Sequence, residues 1–451
     1  MCHEAHFDAD RLRVLARESK YLVMDRVSGR WVLLDPALEP LLPLIAQNSQ
    51  DIPSAYRASV AELRDSLIKE GLGIPDSEKQ FSALNTLILK LTNACNLACQ
   101  YCYDFEQQEH ATTLALEHSR SAIRQALELA SGTLWVILHG GEPMLMWRQV
   151  EELVEFGEQV ATQLNKDIRF TGQSNFTRLN DRIVEFSLDH NISWGISLDG
   201  DARLNDRFRI NHQGQGSYDH FFAAYRKYPK FVRQSSVMST VTAANEGQLL
   251  QIARHFRDLG MAAWDWSLFQ PIGRGRSQHM VYQPRQSRLL KSWHTLFDAV
   301  LAGEFDGFPI LPVRKYLDNF IYGPAGNMCL RPQCGAARDL LSISADGTIE
   351  ACDCIDPSGH LAGLGHLDHT TLNQAKASPV ADAIRSRDME QHPQCGDCIW
   401  FGICGGTCVA HAGRVDVVWS DGCAVALTAF DRISQALADG QSLQRYLNSL
   451  N

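Results

Sequence analysis

The sequence predicts an α/β protein built round a partial (β/α)6 TIM barrel, with a small N-terminal α/β module before it and a cysteine-rich region after it. Three observations carry this. Apolar strand-like runs alternate with helical stretches through the middle of the chain, the first 80 or so residues read as a hairpin followed by helices, and the cysteines are crowded toward the end. The barrel strands are expected at Leu87–Leu91, Leu134–Leu138, Ile168–Phe170, Ile192–Leu198, Val237–Val241 and Ala263–Phe269, with helices such as Leu114–Ala130 and Gln149–Leu164 between them. Strand–helix alternation implies a parallel sheet, and six units suit a partial barrel better than a closed eightfold one. Active sites of such barrels lie at the C-terminal ends of the strands. In the N-terminal part, Tyr21–Met24 and Trp31–Leu34 flank a turn at Ser28-Gly29, and a helix from Ala37 to Ala46 begins after Pro36. Ser59 and Glu62 form a capping-box pattern for a second helix. Val60, Leu63 and Leu67 share a face of it, and Gly71 is its stop. The expected domains are residues 1–78, 79–310 and 311–451.

Composition limits the function. Of 451 residues, 45% are hydrophobic and 21% charged, an ordinary globular balance. A net charge of -10 denies the chain the broad positive field of a nucleic-acid binder. No apolar run approaches the roughly 20 residues that span a bilayer. The first 20 residues have no apolar core of a secretory signal. No nucleic acid and no membrane are expected as partners, and a cytoplasmic location, where thiols stay reduced, is expected.

The 13 cysteines are an odd number, so they cannot all pair as disulfides. Cys2 stands alone, Cys95, Cys99 and Cys102 form one cluster, and the other nine lie between Cys329 and Cys423. Cys95-x3-Cys99-x2-Cys102 follows a strand. Three thiolates can hold three irons of a [4Fe–4S] cluster and leave one iron open. The alternatives are a zinc knuckle, for which His110 is the nearby fourth ligand, or buried thiols.

On this motif the sequence resembles the radical S-adenosylmethionine (SAM) enzymes. The resemblance implies that the cluster's open iron chelates SAM, that reduction cleaves SAM to a 5′-deoxyadenosyl radical, and that this radical takes a substrate hydrogen. Gly140-Gly141-Glu142-Pro143 resembles the family's GGE motif, with Glu142 near the SAM amino group. Gln173-Ser174-Asn175 matches a polar segment that ends in glycine in relatives, where Phe176 stands here. Ser197, in Gly195-Ile-Ser-Leu-Asp-Gly200, is implied at the SAM ribose or carboxylate, and Tyr101 beside the adenine. Arg209 is implied at the SAM carboxylate, with a surface salt bridge as its plain alternative. Phe269-Gln270-Pro271 is expected to line the same pocket.

The C-terminal spacing is Cys334-x12-Gly347-x4-Cys352, then Cys395-x2-Cys398-x5-Cys404-x3-Cys408 and Cys423. It resembles the SPASM extension, and Cys329 adds an eighth thiolate. Zinc ribbons are the alternative. By resemblance to sulfatase-maturating relatives, one auxiliary [4Fe–4S] cluster takes Cys329, Cys334, Cys352 and Cys408, and a second takes Cys395, Cys398, Cys404 and Cys423. Cys2 and Cys354 are left over; for Cys354 a free thiol, an alternate ligand and a merely buried side chain all stay open, and no role is favoured. Asp353 matches an aspartate that acts as general base in those relatives; a loop aspartate capping backbone N–H groups is the other reading.

The N-terminal module resembles the PqqD-like, winged-helix-like peptide-recognition fold. These resemblances together imply three [4Fe–4S] clusters, SAM, and a low-potential donor such as flavodoxin or ferredoxin. They also imply a ribosomally made precursor peptide, its leader held by the module and its body oxidised or crosslinked. Conversion of Cys or Ser to formylglycine, as in sulfatase maturation, is the alternative reaction. A non-enzymatic iron–sulfur electron carrier is the alternative of another class.

Overall fold

The computed structural model describes residues 7–74, 83–104, 111–324, 329–332, 334–441 and 443–450. Cys2, His110 and the boundary expected at residues 78–79 lie outside them. Six strands form the parallel core: β4 (Thr86–Lys90), β5 (Leu134–His139), β6 (Ile168–Ser174), β7 (Ser193–Ser197), β8 (Ser236–Val241) and β9 (Ala263–Leu268). Helices α2 (Leu116–Leu129), α3 (Trp147–Leu164) and α4 (Asp181–Asp189) cross between the first four. All five residues of β4 are buried, the mark of a strand covered on both faces.

The sheet stays open and extends beyond the barrel. Strands β10 (Leu340–Ile343), β11 (Thr348–Glu350) and β12 (Gly365–His366) give the order β12-β11-β10-β4-β5-β6-β7-β8-β9. Strand β10 runs parallel to β4, with Leu340 opposite Thr86 and Ile343 opposite Leu89. The cysteine-rich region therefore shares its sheet with the barrel. Its helix Ser420–Ala438 also packs on the barrel-side helix Gln286–Leu301.

The N-terminal module holds three strands, β1 (Leu12–Arg17), β2 (Lys20–Asp25) and β3 (Trp31–Leu34), in the order β1-β2-β3. The first was not foreseen, because its alternation is charged: Arg13 and Arg17 reach Asp397 and Asp431 of the C-terminal region. The next segment, Pro36–Leu44, is a 3-10 helix, since Pro40 and Pro43 remove the bonds an α-helix needs. Helix α1 (Arg57–Lys69) starts before Ser59, with Tyr56 as N-cap and no side-chain cap, so the Ser59–Glu62 capping box does not form. Gly71 does follow the helix end, at φ +80.

Alternation along β2 joins the module to the rest. Val23 faces a small core with Leu12, Ile45, Val60, Leu63 and Leu67. Leu22 and Met24 face the main core. The hairpin is pinned by buried Asp25, which accepts from Arg11 Nε at 3.0 Å, Val27 N at 2.9 Å, Ser28 N at 3.0 Å and Gly73 N at 3.0 Å. No described helix is long and apolar enough to cross a membrane.

Asp25→Ala strands the Arg11 guanidinium and three backbone donors. It is expected to destabilise the module by about 3–5 kcal/mol. Faster amide exchange across residues 12–34 checks this; unchanged exchange would refute it.

Candidate functional site

The CxxxCxxC segment leaves the C-terminal end of β4 and is gripped from two sides. On one side, Gly141 N donates to Thr92 O at 2.6 Å and Glu142 N to Ala94 O at 2.9 Å. A Cβ on Gly140 (φ +114) would stand 2.4 Å from Thr92 O, and one on Gly141 2.1 Å from Ala94 O. The two glycines are thus required by the chain's own backbone contact. On the other side, the loop after β9 brings Arg274 N to Cys102 O at 2.9 Å and Arg274 Nη1 to Cys99 O at 2.9 Å.

Glu142 is buried and accepts from Ser174 Oγ at 2.8 Å, Asn175 N at 2.9 Å and Met144 N at 3.0 Å. Burial raises its pKa against those hydrogen bonds. The carboxylate expected near the SAM amino group joins the β5 and β6 loops. Asn175 Nδ2 donates to Asn96 Oδ1 at 3.1 Å and stands 3.9 Å from Cys95 Sγ. Gln173 Nε2 donates to Ser197 Oγ at 2.7 Å, linking the ends of β6 and β7. Phe176 has φ +56, which accounts for the preference for glycine at its position. Its ring is buried, stacked on Phe231 with centroids 6.1 Å apart, so it fills the core.

Tyr101 and Arg209 meet on a residue to which the motif reading gave no role. The Tyr101 hydroxyl donates to Asp199, and Arg209 Nε lies 3.1 Å from Asp199 Oδ1. The guanidinium also sits 5.4 Å from the Tyr101 ring centroid. All three are buried, so the Arg209 pair is internal and no surface salt bridge. Burial opposes the Arg209 charge, yet Asp199, Tyr101 and Cys99 together outweigh it and raise the pKa. Phe269, Phe208 and Tyr282 complete the wall round Tyr101.

A buried ionic knot missed by motif reasoning lies beside this wall. Lys90 Nζ, at the end of β4, is 2.9 Å from Asp104 Oδ1, 3.6 Å from Glu350 Oε2 and 3.1 Å from the Asp353 carbonyl to which it donates. Burial lowers the lysine's pKa, but Asp104, Glu350 and Asp353 more than reverse this and keep it charged. The Tyr103 hydroxyl donates to Asp353 Oδ2 at 3.2 Å and lies 3.5 Å from His139 Nε2. Asp353 thus faces a phenol at the barrel mouth. The one signal in the sequence was a lysine ending an apolar strand.

The C-terminal thiols form two groups. Cys329 is exposed as a residue, yet desolvation of its thiol and repulsion from Cys408, Cys334 and Cys354 push it up to about 12. Cys352 Sγ donates to Asp353 Oδ1 at 3.4 Å, the Cys352 and Cys354 sulfurs lie within 4.8 Å of each other, and Cys408 acts on both electrostatically. The second group, Cys395, Cys398, Cys404 and Cys423, lines a cavity of about 340 Å3, its mouth included, with Trp400, Phe401 and Phe430 among its walls. Burial pushes Cys404 up to about 12 and Cys395 to about 11. Arg387 lies between the groups, donating to the carbonyls of Thr407, Gly406, Val415 and Val417 at 2.9–3.0 Å.

These residues fit iron–sulfur clusters. Cys95, Cys99 and Cys102 repel one another, and burial with that repulsion pushes Cys102 up to about 12. Crowded buried thiols ionise only when a cation compensates them. A single zinc would need its ligand atoms drawn together. Among the described residues, only Cys352, Asp353 and Cys354 have theirs within 4.8 Å of one another. The wider arrays suit cubanes, with an open iron at the three-cysteine site.

Two outcomes follow. Lys90→Met leaves Asp104 and Glu350 facing each other in the interior, an expected loss of about 3–5 kcal/mol. Thermal unfolding of the iron-free chain reads it, and an unchanged midpoint would argue against the knot. The raised thiols stabilise the iron-free fold fully below the ordinary thiol pKa of about 8.5 and lose that contribution as pH rises toward 12. Iron affinity moves oppositely, weakening as pH falls, because loading displaces protons. Stability of the iron-free chain and iron retention, each measured from pH 6 to 10, should show these opposite slopes.

Residues 89–256 match the radical SAM superfamily. The chain is 21% identical over 343 residues to the cysteine-type anaerobic sulfatase-maturating enzyme of Clostridium novyi, covering 72% of this chain and 88% of that protein. It is 26% identical over 346 residues to the mycofactocin maturase MftC of Mycolicibacterium smegmatis, covering 74% and 80%. Among solved structures, native anSMEcpe with bound AdoMet and Cp18Cys peptide shares the fold with a TM-score of 0.67 at 19% identity, over 79% of this chain and 99% of that one. SuiB of Streptococcus suis bound to precursor peptide SuiA does so with a TM-score of 0.56 at 14% identity, over 93% and 99%. The open parallel sheet and its cysteine loop thus lie in the segment, residues 89–256, that matches the radical SAM superfamily.

Proposed function

We propose that the protein is a radical SAM/SPASM maturase that oxidises or crosslinks a ribosomally made precursor peptide. The observation that carries this is the cysteine loop at the end of β4, held between the GGE loop and the loop after β9 and joined through Lys90 and Tyr103 to Asp353, next to Cys352. Both solved relatives named above were bound to peptides. When bound, the first cluster and SAM supply a 5′-deoxyadenosyl radical that takes a substrate hydrogen. Cys95, Cys99 and Cys102 hold that cluster. Asn175, Ser197, Tyr101 and Arg209 line the SAM site, with Arg209 and Tyr101 oriented by Asp199. Gly140, Gly141 and Glu142 act through the loop geometry they hold.

The two auxiliary clusters take Cys329, Cys334, Cys352 and Cys408, and Cys395, Cys398, Cys404 and Cys423. Asp353, oriented by Tyr103, accepts the proton that substrate oxidation releases. A flavodoxin- or ferredoxin-like donor supplies the electron, in a reducing cytoplasm. Residues 1–78 form the PqqD-like leader-binding module, residues 79–310 the barrel and 311–451 the SPASM region. The module abuts the second thiol group, with Arg13 2.9 Å from Asp397, Arg26 3.2 Å from Glu390 and Trp31 Nε1 donating to Phe320 O. The SuiB fold takes in more of this chain than the anSMEcpe fold does.

Formylglycine formation on a sulfatase is the second reading, favoured by Asp353 and by the name of the Clostridium relative. Anaerobic incubation with SAM, reductant and candidate peptides is expected to yield 5′-deoxyadenosine and a peptide two hydrogens lighter. A ring that survives denaturation supports crosslinking, and an aldehyde supports the sulfatase reading. No 5′-deoxyadenosine would leave only an electron carrier. Asp353→Ala is expected to keep SAM cleavage and lose at least tenfold in product; full product formation would remove Asp353 as base.

A further inference from the structure

Five thiols surround the first auxiliary site, although a cubane takes four. Cys329, Cys334, Cys352 and Cys408 belong to the SPASM-like spacing, and Cys354 does not. Yet Cys354 stands two residues from Cys352 and within electrostatic reach of Cys408 and Cys329. The ligand atoms of Cys352 and Cys354 lie within 4.8 Å of each other, with Asp353 completing that group. Ligand sulfurs on different irons diverge from the corners of a cubane, so two sulfurs this close face one corner. They are placed to alternate on a single iron.

The backbone between them is fixed. Lys90 Nζ holds the Asp353 carbonyl at 3.1 Å, Tyr103 holds the Asp353 carboxylate at 3.2 Å, and Gln270 Nε2 holds the Cys354 carbonyl at 2.8 Å. A change of ligand therefore needs only side-chain rotation about χ1, between staggered wells.

We infer that the fourth thiolate position of the first auxiliary cluster is shared by Cys352 and Cys354, which exchange on one iron. This rests on the three-cluster reading. No electron transfer is involved: one Fe–S bond breaks, another forms, and the proton moves from the incoming thiol to the outgoing thiolate.

The test is iron content and EPR of the reconstituted, dithionite-reduced full chain. The parent should hold about twelve irons, three cubanes. Cys352→Ala and Cys354→Ala should each stay near that value. The double variant should fall to about eight, as should Cys334→Ala. The parent's auxiliary signal should be the sum of two species, of which each single variant shows one. That spectral comparison does not require the double variant to fold. A Cys352→Ala chain already at about eight irons, or a Cys354→Ala spectrum identical to the parent's, overturns the shared position. A parent with only about four or eight irons overturns the three-cluster reading, and this inference with it.

Discussion

The ammonium of Lys90 is the point on which the site's geometry depends. It ends a strand buried on both faces, and it is the charge that makes the meeting of three segments tolerable. Asp104 comes from just past the CxxxCxxC motif, Glu350 from the end of β11, and the Asp353 carbonyl from beside the auxiliary cysteines. Each carboxylate alone would be costly to bury, and the lysine alone equally so. Together they set the spacing between the CxxxCxxC loop and the segment that carries Asp353.

The same economy of design recurs in three other places. Asp25 gathers four donors and shapes the N-terminal hairpin. Glu142 gathers three and locks two barrel loops. Arg387 offers its donors to four carbonyls between the two thiol groups. In each case one side chain, buried for Asp25 and Glu142 and half-buried for Arg387, organises backbone that has no regular ladder of its own.

Much of the barrel was legible in the sequence, because its strands are short apolar runs whose period and flanking helices leave little choice. The cysteine spacings were equally plain, since few chemistries require thiols at those intervals. What escaped was long-range pairing. Strand β1 reads as a charged alternation until Asp397 and Asp431, nearly 400 residues on, are seen to receive its arginines. Lys90 and Arg387 lie in no motif, and Asp199 lies in one that assigned it no role; their partners are brought in by the tertiary fold. Phe176 stands where the resembling family has glycine. Its positive φ shows why glycine suits that place, and its ring went to the core. The Ser59–Glu62 pair had the letters of a capping box but sits one turn too late. Local pattern ranks alternatives; the tertiary neighbour chooses among them.

The pairing of β10 with β4 bears on how the chain is made. At β4 the barrel sheet meets a strand synthesised some 250 residues later. Until Leu340–Ile343 leaves the ribosome, the β4 edge has its N–H and C=O groups unmatched. The nascent barrel therefore waits with an open seam, and only the arrival of the cysteine-rich region closes it. Order of synthesis is built into the architecture. The segment that brings the auxiliary thiols also finishes the sheet, so a chain cut short before it is left with an adhesive edge instead of a smaller working enzyme.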